Sequence, residues 1–228
     1  MSRGWLIVFA KSPRPGLVKT RMSPPLTLVQ AAELYEAMLA DILDASLRFA
    51  KELDLDPVLA YYPPDAASEF MDRAPAGYRL QEQRGLDLNG RMANAFAQAA
   101  AAGVTRILLR GSDSPALDLD VHQGMLDRLD NGDDLVLTPD QGGGYALIGM
   151  RTARPAVFEL PMSTDQVMEQ TLTAARAIGL KSSLTKPGFD LDHVGDFHCF
   201  DSLPTESLLD LCPRTVASIA LAPLRGVL

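Results

Sequence analysis

Short apolar runs alternate with longer amphipathic stretches along the 228-residue chain. The apolar runs are typical of buried strands, and they predict strands at 5–10, 57–61, 78–81, 105–109, 135–139 and 145–150. Between them, apolar residues recur at helical spacing, which predicts helices at 28–50, 66–73, 88–102, 121–129 and 163–178. This alternation indicates a layered α/β fold with a mainly parallel sheet, in which the strand at 145–150 returns antiparallel beside its predecessor.

Start signals mark two of the predicted helices. Thr27 and Gln30 form a capping box before the helix at 28–50, and Ser163 or Thr164 is expected to cap the helix at 163–178. No internal repeat, low-complexity tract or Pro/Ser-rich linker interrupts the chain. We therefore predict a single domain over residues 1–228, with residues 197–228 as a helical carboxyl-terminal extension.

Composition and charge exclude several classes of protein. Hydrophobic residues make up 47% of the chain and charged residues 22%, which is near the globular average and excludes a disordered chain. The net charge of −8 argues against non-specific binding of nucleic acid, which needs clustered Lys and Arg. No apolar run approaches the roughly 20 residues of a membrane-spanning helix, and the first run is too short for a signal peptide. We expect a cytoplasmic protein without nucleic-acid or membrane partners.

The two cysteines, Cys199 and Cys212, lack the spacing of a metal site and a CxxC partner. We therefore expect both to be free thiols in a reducing compartment.

The segment 10–22, AKSPRPGLVKTRM, concentrates positive charge directly after the first strand. Gly16 frees the backbone to approach a ligand, and the cations suit a diphosphate: Lys11, Arg14, Lys19 and Arg21. The Gly-Lys-Ser/Thr ending of a Walker loop is absent, and so is the GxGxxG fingerprint of dinucleotide sites. The alternative interpretation is a solvated basic loop.

Asp113 follows the predicted strand at 105–109, in the segment VTRILLRGSDSPAL. In open α/β sheets the carboxyl ends of the strands are where ligands bind, and a carboxylate held there can ligate a hard cation. The alternative is an ordinary strand-to-helix turn in which Asp113 or Ser114 caps the next helix.

A second group of acids lies in the segment 189–197, FDLDHVGDF. Alternation along a strand puts Asp190 and Asp192 on one side, where both can face one Mg²⁺ or Mn²⁺ ion, while Leu191 points to the core. The alternative is a strand end with solvated acids. His193 is interpreted as a loop histidine, and Asp196 as the start of a helix.

The segment 142–149, GGGYALIG, is the third candidate. Glycine-rich turns between strands are common as structural hairpins. In a functional interpretation, the missing side chains leave room for a sugar or another acceptor against the backbone.

Six motifs taken together resemble the glycosyltransferase-like proteins of the DUF2064 family, a group of nucleotide-diphospho-sugar transferases. They occur in order as AKSPRPGLVKTRM, RGLDLNGRM, LLRGSDSPAL, GGYALIG, MSTDQVMEQTL and DLD, between about residues 6 and 196. The resemblance implies a three-layer, Rossmann-like GT-A fold that binds a nucleotide diphosphate through Mg²⁺ or Mn²⁺. More distantly the chain is similar to nucleotidyltransferases that make phospholactate-guanosine diphosphate adducts or molybdenum-cofactor dinucleotides.

The resemblance also implies roles for individual residues. It assigns nucleotide or phosphate binding to Lys11, Arg14, Gly16, Lys19, Arg21 and Arg91, and metal binding to Asp113, Asp190 and Asp192. Lys19 and Asp113 would be the catalytic pair. The implied acceptor side comprises Gly143, Gly144, Tyr145, Ser163, Thr164 and Asp165.

The sequence departs from the family pattern in three places. The family's Asp before Gly-Gly-Tyr is Gly142 here, its Trp-Ser-Thr is residues 162–164, Met-Ser-Thr, and its Leu-Gly-Glu-Arg is residues 88–91, Leu-Asn-Gly-Arg. These changes affect the acceptor side more than the donor side.

Three functions are consistent with these observations. The first is a metal-dependent transferase that moves a sugar from a nucleotide-diphosphate donor to a small-molecule acceptor. The second is a nucleotidyltransferase that uses a nucleoside triphosphate and a phosphorylated acid. The third is a nucleotide-binding protein without catalysis, which the missing acid at Gly142 motivates.

Overall fold

A computed structural model describes residues 4–159 and 166–221 of the chain. Its centre is a seven-stranded sheet with the order β3-β2-β1-β4-β6-β5-β7. The strands are β1 (Gly4–Lys11), β2 (Leu55–Tyr62), β3 (Arg79–Glu82), β4 (Ile107–Arg110), β5 (Leu135–Pro139), β6 (Tyr145–Met150) and β7 (Ser182–Leu184).

The pairing of the strands confirms a mainly parallel sheet. β1 runs parallel to β2 and β4, β2 runs parallel to β3, and β5 runs parallel to β7. β6 is antiparallel to β5, as predicted, and it also pairs antiparallel with β4, so that it lies inside the sheet. Sequence reasoning missed β7, because three partly exposed residues are too few to show a period.

Helices cover both faces of the sheet. They are α1 (Leu28–Glu52), α2 (Ala67–Arg73), α3 (Leu88–Ala101), α4 (Leu119–Asp130), α5 (Val167–Ala177), α6 (Asp196–Asp201), α7 (Thr205–Leu211) and α8 (Pro213–Leu221). The capping box of Thr27 and Gln30 is present at the start of α1. No helix in the described parts of the chain is both long and apolar enough to cross a membrane.

The alternation of side chains along β1 builds the three layers. Leu6 and Val8 pack toward α1, in clusters that also include α2, α4 and the last helices. Ile7 and Phe9 pack on the opposite face against α3 and α5. Because every second side chain of a strand faces the same way, a fully apolar strand needs a helical layer on each side. The predicted three-layer α/β architecture is confirmed.

Two details of the prediction are wrong. The helix predicted at 163–178 begins at Val167, after Gln166, whose side chain makes no capping hydrogen bond; the predicted caps Ser163 and Thr164 lie outside the described residues. Asp190 and Asp192 do not belong to a strand, since residues 186–192 cross the sheet edge without regular structure. Leu191 is nevertheless fully buried, as predicted.

Helices α6 to α8 follow the irregular segment, and α8 packs on α1. The buried carboxylate of Asp41 on α1 fixes the start of α8, where it accepts hydrogen bonds from the backbone and side chain of Thr215 at 2.7 and 2.8 Å. Both cysteines are free thiols, with Cys199 exposed and Cys212 buried under these helices.

His122 on α4 is fully buried and makes stability depend on pH. Its Nδ1 donates to the Asp118 carbonyl oxygen at 2.7 Å, and its Nε2 has no hydrogen-bond partner among the described residues. Burial, and then the charge of Arg110, lower the pKa of His122 to about 3. The unfolded chain, with a His pKa near 6.5, binds this proton more readily, so stability is lost as the pH falls below about 6.5.

We expect the free energy of unfolding to fall by about 2 kcal/mol between pH 6.5 and pH 5 because of His122 alone, at roughly 1.4 kcal/mol per pH unit. Urea unfolding of the wild type and of His122→Gln at both pH values measures the effect as a difference between their slopes. Equal slopes in the two proteins would contradict it.

Candidate functional site

A cavity of about 750 Å³ opens at the carboxyl ends of β1 and β4. Its walls come from the loop after β1, the loop after β4, the glycine-rich loop between β5 and β6, and the irregular segment after β7. Most of the residues that the sequence singled out line it: Lys11, Lys19, Arg21, Arg91, Asp113, Gly144, Tyr145, Asp190 and Asp192. The tertiary structure therefore brings together motifs that are up to about 180 residues apart.

A buried guanidinium shapes the loop that carries Asp113. Arg110 ends β4 with no exposed surface, and its Nη2 donates to the Ser114 carbonyl oxygen at 2.6 Å. This bond closes the turn around Asp113 and presents its side chain, which is 45% exposed, to the cavity. The alternative capping role is not observed, since Asp118 caps α4.

Backbone and side-chain bonds hold Asp190 beside Asp113. The Leu191 N–H donates to the Asp113 carbonyl oxygen at 2.8 Å. The Gln141 amide bonds both backbone groups of Asp190, donating to its carbonyl oxygen at 2.5 Å and accepting from its N–H at 3.0 Å. The Ser114 hydroxyl donates to the Asp190 carboxylate. These contacts replace the strand alternation that the sequence suggested.

Asp196, four residues further along the chain, positions Asp192. The Asp196 carboxylate accepts from the N–H groups of Asp192 and His193 at 2.8 and 2.6 Å. Asp196 does begin a helix, as predicted, and it also folds the preceding loop so that Asp192 faces the cavity.

Asp113, Asp190 and Asp192 concentrate negative charge in one part of the cavity wall. Burial and then the charges of Asp113, Asp140 and Asp192 raise the pKa of Asp190 to about 7, although the hydrogen bond from Ser114 lowers this pKa. A cation placed among these carboxylates relieves both the desolvation and the repulsion.

The ammonium group of Lys19 neutralises part of this negative charge. Its Nζ donates to Asp113, to Asp192 at 3.0 Å and to the Leu191 carbonyl oxygen at 2.7 Å, and its side chain is 3% exposed. Burial lowers the pKa of Lys19, but the charges of Asp113 and Asp192 and the hydrogen bonds to them together raise this pKa above its ordinary value, so the ammonium stays charged. Lys19 was predicted to bind phosphate, and the structure pairs it with the predicted metal acids.

The other predicted phosphate residues divide into two groups. Lys11 and Arg21 lie exposed at the cavity, with Arg21 3.7 Å from Asp192. Arg91, in the first turn of α3, reaches the cavity with its guanidinium 4.6 Å from the Tyr62 ring centroid. Arg14 instead turns away from the cavity lining.

Glu69 and Asp65 hold Arg14 on the side of α2. Arg14 Nε donates to Glu69 at 3.0 Å, Nη1 donates to Asp65 at 2.9 Å, and the Ser12 hydroxyl also donates to Glu69. Gly16 adopts a positive φ of 82°, which lets this loop turn back toward the cavity without lining it. The geometry gives Arg14 and Gly16 a role in loop shape.

Asp140 organises the glycine-rich loop. Its Oδ1 accepts from the N–H groups of Gly142 and Gly144 at 2.7 and 2.8 Å. Gly143 has a positive φ of 81°, which favours glycine. Gly142 and Gly144 line the cavity together with Tyr145. The remaining acceptor-side candidates, Ser163, Thr164 and Asp165, lie outside the described residues.

Sequence reasoning missed four residues that position the site. Arg110 holds the Asp113 loop, and Ser114 and Gln141 hold Asp190. The Tyr35 hydroxyl accepts a hydrogen bond from the Lys11 N–H at 3.0 Å and forms another with the Ser112 hydroxyl at 2.7 Å. A charged residue inside an otherwise apolar strand was the available signal for Arg110. The other three carry no local pattern, because their partners are remote in sequence.

The donor set fits a hard divalent cation bound together with a ligand. In the described ranges, no three His, Cys, Asp or Glu side chains form a ready metal-binding group. Mg²⁺, however, is typically held by one or two carboxylates, with substrate phosphates and water completing its shell. Asp113 with Asp190 or Asp192 can supply those carboxylates.

Comparison with protein families matches residues 45–164 to "Uncharacterized protein conserved in bacteria (DUF2064)", more than half of the chain. The chain belongs to the DUF2064 family. The matched range contains the Asp113 loop and the glycine-rich loop between β5 and β6. The comparison with curated proteins gives no match.

Solved structures share the fold of this DUF2064 chain. A Desulfovibrio desulfuricans G20 protein described as a "putative nucleotide-diphospho-sugar transferase" is 30% identical, with a TM-score of 0.86 over 96% of this chain and 95% of that one. A cytidylyltransferase from Leptospira borgpetersenii is 13% identical, with a TM-score of 0.57 over 100% of this chain and 95% of that one.

A CMP:2-keto-3-deoxy-manno-octonic acid synthetase complexed with CTP is 12% identical to this DUF2064 chain, with a TM-score of 0.52 over 91% of this chain and 100% of that one. The cytidylyltransferase and this synthetase are similar in fold alone. The predicted Rossmann-like fold of nucleotide-diphospho-sugar transferases is confirmed.

Proposed function

We propose that this protein is a nucleotide-using transferase, and more specifically a metal-dependent enzyme whose donor is a nucleotide-diphosphate sugar. The observation that carries the proposal is the meeting of Asp113, Asp190 and Asp192 beside the cavity at the carboxyl ends of β1 and β4. Ligands of open α/β sheets bind at this edge. The name of the 30% identical Desulfovibrio relative supports the same class of donor.

The charges of the chain fit a diphosphate ester. A Mg²⁺ or Mn²⁺ ion on Asp113 and Asp190 or Asp192 would neutralise negative charge on the departing diphosphate. Lys11 and Arg21 are exposed at the cavity and would approach the phosphates from the loop after β1, Arg21 by leaving its 3.7 Å ion pair with Asp192. Arg91 faces the cavity from α3. Gly142, Gly144 and Tyr145 would leave room for the sugar or for a small-molecule acceptor.

A thermal-shift panel of nucleotide-diphosphate sugars and nucleoside triphosphates, with and without Mn²⁺, tests the proposal. A ligand at a hundredfold excess over its Kd stabilises the folded state by about 2.7 kcal/mol. We expect a Mn²⁺-dependent shift that is largest for a nucleotide-diphosphate sugar. A larger shift with a triphosphate would instead indicate nucleotidyl transfer, and no shift with any nucleotide would contradict both.

Two arginines of the loop after β1 should differ in their effect on donor binding. Arg21→Gln is expected to weaken the best nucleotide-diphosphate sugar by about tenfold, as expected for a charge-assisted hydrogen bond worth roughly 1.5 kcal/mol. Arg14→Gln should change the affinity by less than about threefold, since its guanidinium already serves Glu69 and Asp65. Isothermal titration with the matching nucleoside as control measures both; equal losses would show that Arg14 also reaches the phosphates.

A further inference from the structure

The ammonium group of Lys19 lies between two of the carboxylates that the proposed metal would use. Its three N–H donors meet three acceptors, which are Asp113, Asp192 Oδ1 at 3.0 Å and the Leu191 carbonyl oxygen at 2.7 Å. The side chain is 3% exposed, so water has little access to the group. The ammonium is therefore saturated and has no donor left for a phosphate.

The partners of Lys19 form the kind of donor set that a hard cation takes. All three are oxygen atoms, and two of them belong to carboxylates. Mg²⁺ binds such oxygens at about 2.0–2.1 Å, which is closer than the nitrogen of an ammonium approaches them. A cation between Asp113 and Asp192 would meet Lys19 at contact distance and with like charge. The ammonium and the metal therefore exclude each other at this pair.

Lys19 can leave this position only if another group replaces it. Without a replacement, Asp113 and Asp192 would repel each other and the nearby Asp190. The phosphates of a nucleotide offer new acceptors for the ammonium, and Lys19 lines the cavity in which they would bind. Its four-carbon stem is flexible, and its backbone is in the left-handed region, with φ 47° and ψ 33°, which a lysine adopts at a cost.

We propose that Lys19 is an internal counter-ion, which bridges Asp113 and Asp192 in the nucleotide-free protein and exchanges with the divalent cation when phosphates enter. The exchange forms and breaks no covalent bond: the ammonium passes from the carboxylates to a phosphate, and the cation takes its place. The inference rests on the proposed function. The exchange requires that the divalent cation binds weakly without a nucleotide. It also requires that the cation and the phosphates raise each other's binding affinity by the same factor.

Binding of Mn²⁺ alone, without any nucleotide, tests the exchange. Lys19→Met removes the competing charge but keeps the apolar stem, so we expect it to bind Mn²⁺ at least about tenfold more tightly than the wild type by electron paramagnetic resonance. Lys19→Arg keeps a cation and should bind Mn²⁺ as weakly as the wild type. Adding Asp113→Asn to Lys19→Met should abolish the gain. A folded Lys19→Met protein without tighter Mn²⁺ binding would overturn the proposal.

A measurement on the wild type keeps the test independent of variants that fail to fold. The NMR signal of the buried Lys19 ammonium should stay unchanged with Mg²⁺ alone and shift when Mg²⁺ and pyrophosphate are added together. A shift with Mg²⁺ alone, or no shift when both bind, would overturn the exchange. The thermal-shift panel of nucleotides is a separate measurement. A result that contradicts the exchange of Lys19 with the cation therefore leaves the transferase proposal intact.

Discussion

Asp113→Asn should lower the Mn²⁺-dependent affinity for the best nucleotide-diphosphate sugar by about a hundredfold or more. Even partners outside the ligand shell of a metal typically contribute about 10- to 100-fold, and Asp113 is proposed to be a direct ligand. The loop should keep its shape, because the Arg110 and Leu191 bonds that fix it involve backbone atoms. Lys19 would retain Asp192 and the Leu191 carbonyl as partners.

Isothermal titration with and without Mn²⁺ measures the loss, and circular dichroism checks the fold. Asp65→Asn is the matched control, since Asp65 is an exposed acid paired with Arg14 outside the cavity lining. Unchanged Mn²⁺-dependent affinity in folded Asp113→Asn would remove Asp113 from the metal site.

Gly142→Asp places an acid directly before Gly-Gly-Tyr, where the resemblance in sequence implies one, and we expect it to raise turnover, including hydrolysis of the donor. The backbone allows the change, because Gly143 rather than Gly142 holds the positive φ of 81°. A Cβ at Gly142 would meet Asp140 Oδ1 at 3.5 Å, an ordinary contact. We expect a rise of about tenfold, below the roughly 10²–10⁴-fold of a well-placed general base.

Steady-state turnover and donor affinity should be measured together for this variant, with Gly142→Asn as the uncharged control of similar size. Donor affinity should stay within about threefold, since Gly142 belongs to the proposed acceptor side. Weaker donor binding by Gly142→Asp, without faster turnover, would favour Asp140 as the acid that serves this side of the cavity. Asp140 already bonds the N–H groups of Gly142 and Gly144 and lines the cavity.

Local patterns predicted the elements of this protein well. The continuous apolar runs became β1, β4, β5 and β6, because a strand buried on both faces must be apolar almost throughout. The capping box at Thr27 and Gln30 marked the start of α1, because its hydrogen bonds join residues only three apart. The helix predicted from 163 begins at Val167, and its predicted caps lie outside the described residues.

The sequence predicted where the candidate site lies in the fold, but not which contacts hold its residues. The position of Asp113 directly after a predicted strand brings it to the carboxyl edge of the sheet, where ligands bind, so its place at the cavity followed from the sequence. The same argument placed Asp190 and Asp192 nearby but gave them the wrong backbone, since their irregular segment is held by Gln141 and Asp196. The hydrogen bonds from Gln141 and Asp196 follow no repeating pattern of residues that could be recognised in the sequence.

The sequence by itself determined the layered α/β fold, the mainly parallel sheet and the place of Asp113 at its carboxyl edge, because these depend on short-range patterns: continuous apolar runs for buried strands and helical periods between them. Only the tertiary structure decided which charges pair. It joined Lys19 to Asp113 and Asp192, which lie 94 and 173 residues further along the chain, and it turned Arg14 toward Glu69, 55 residues away. Lys19 and Arg14, similar cations of one loop, thus received different partners, because an ion pair depends on distances that only the folded chain sets.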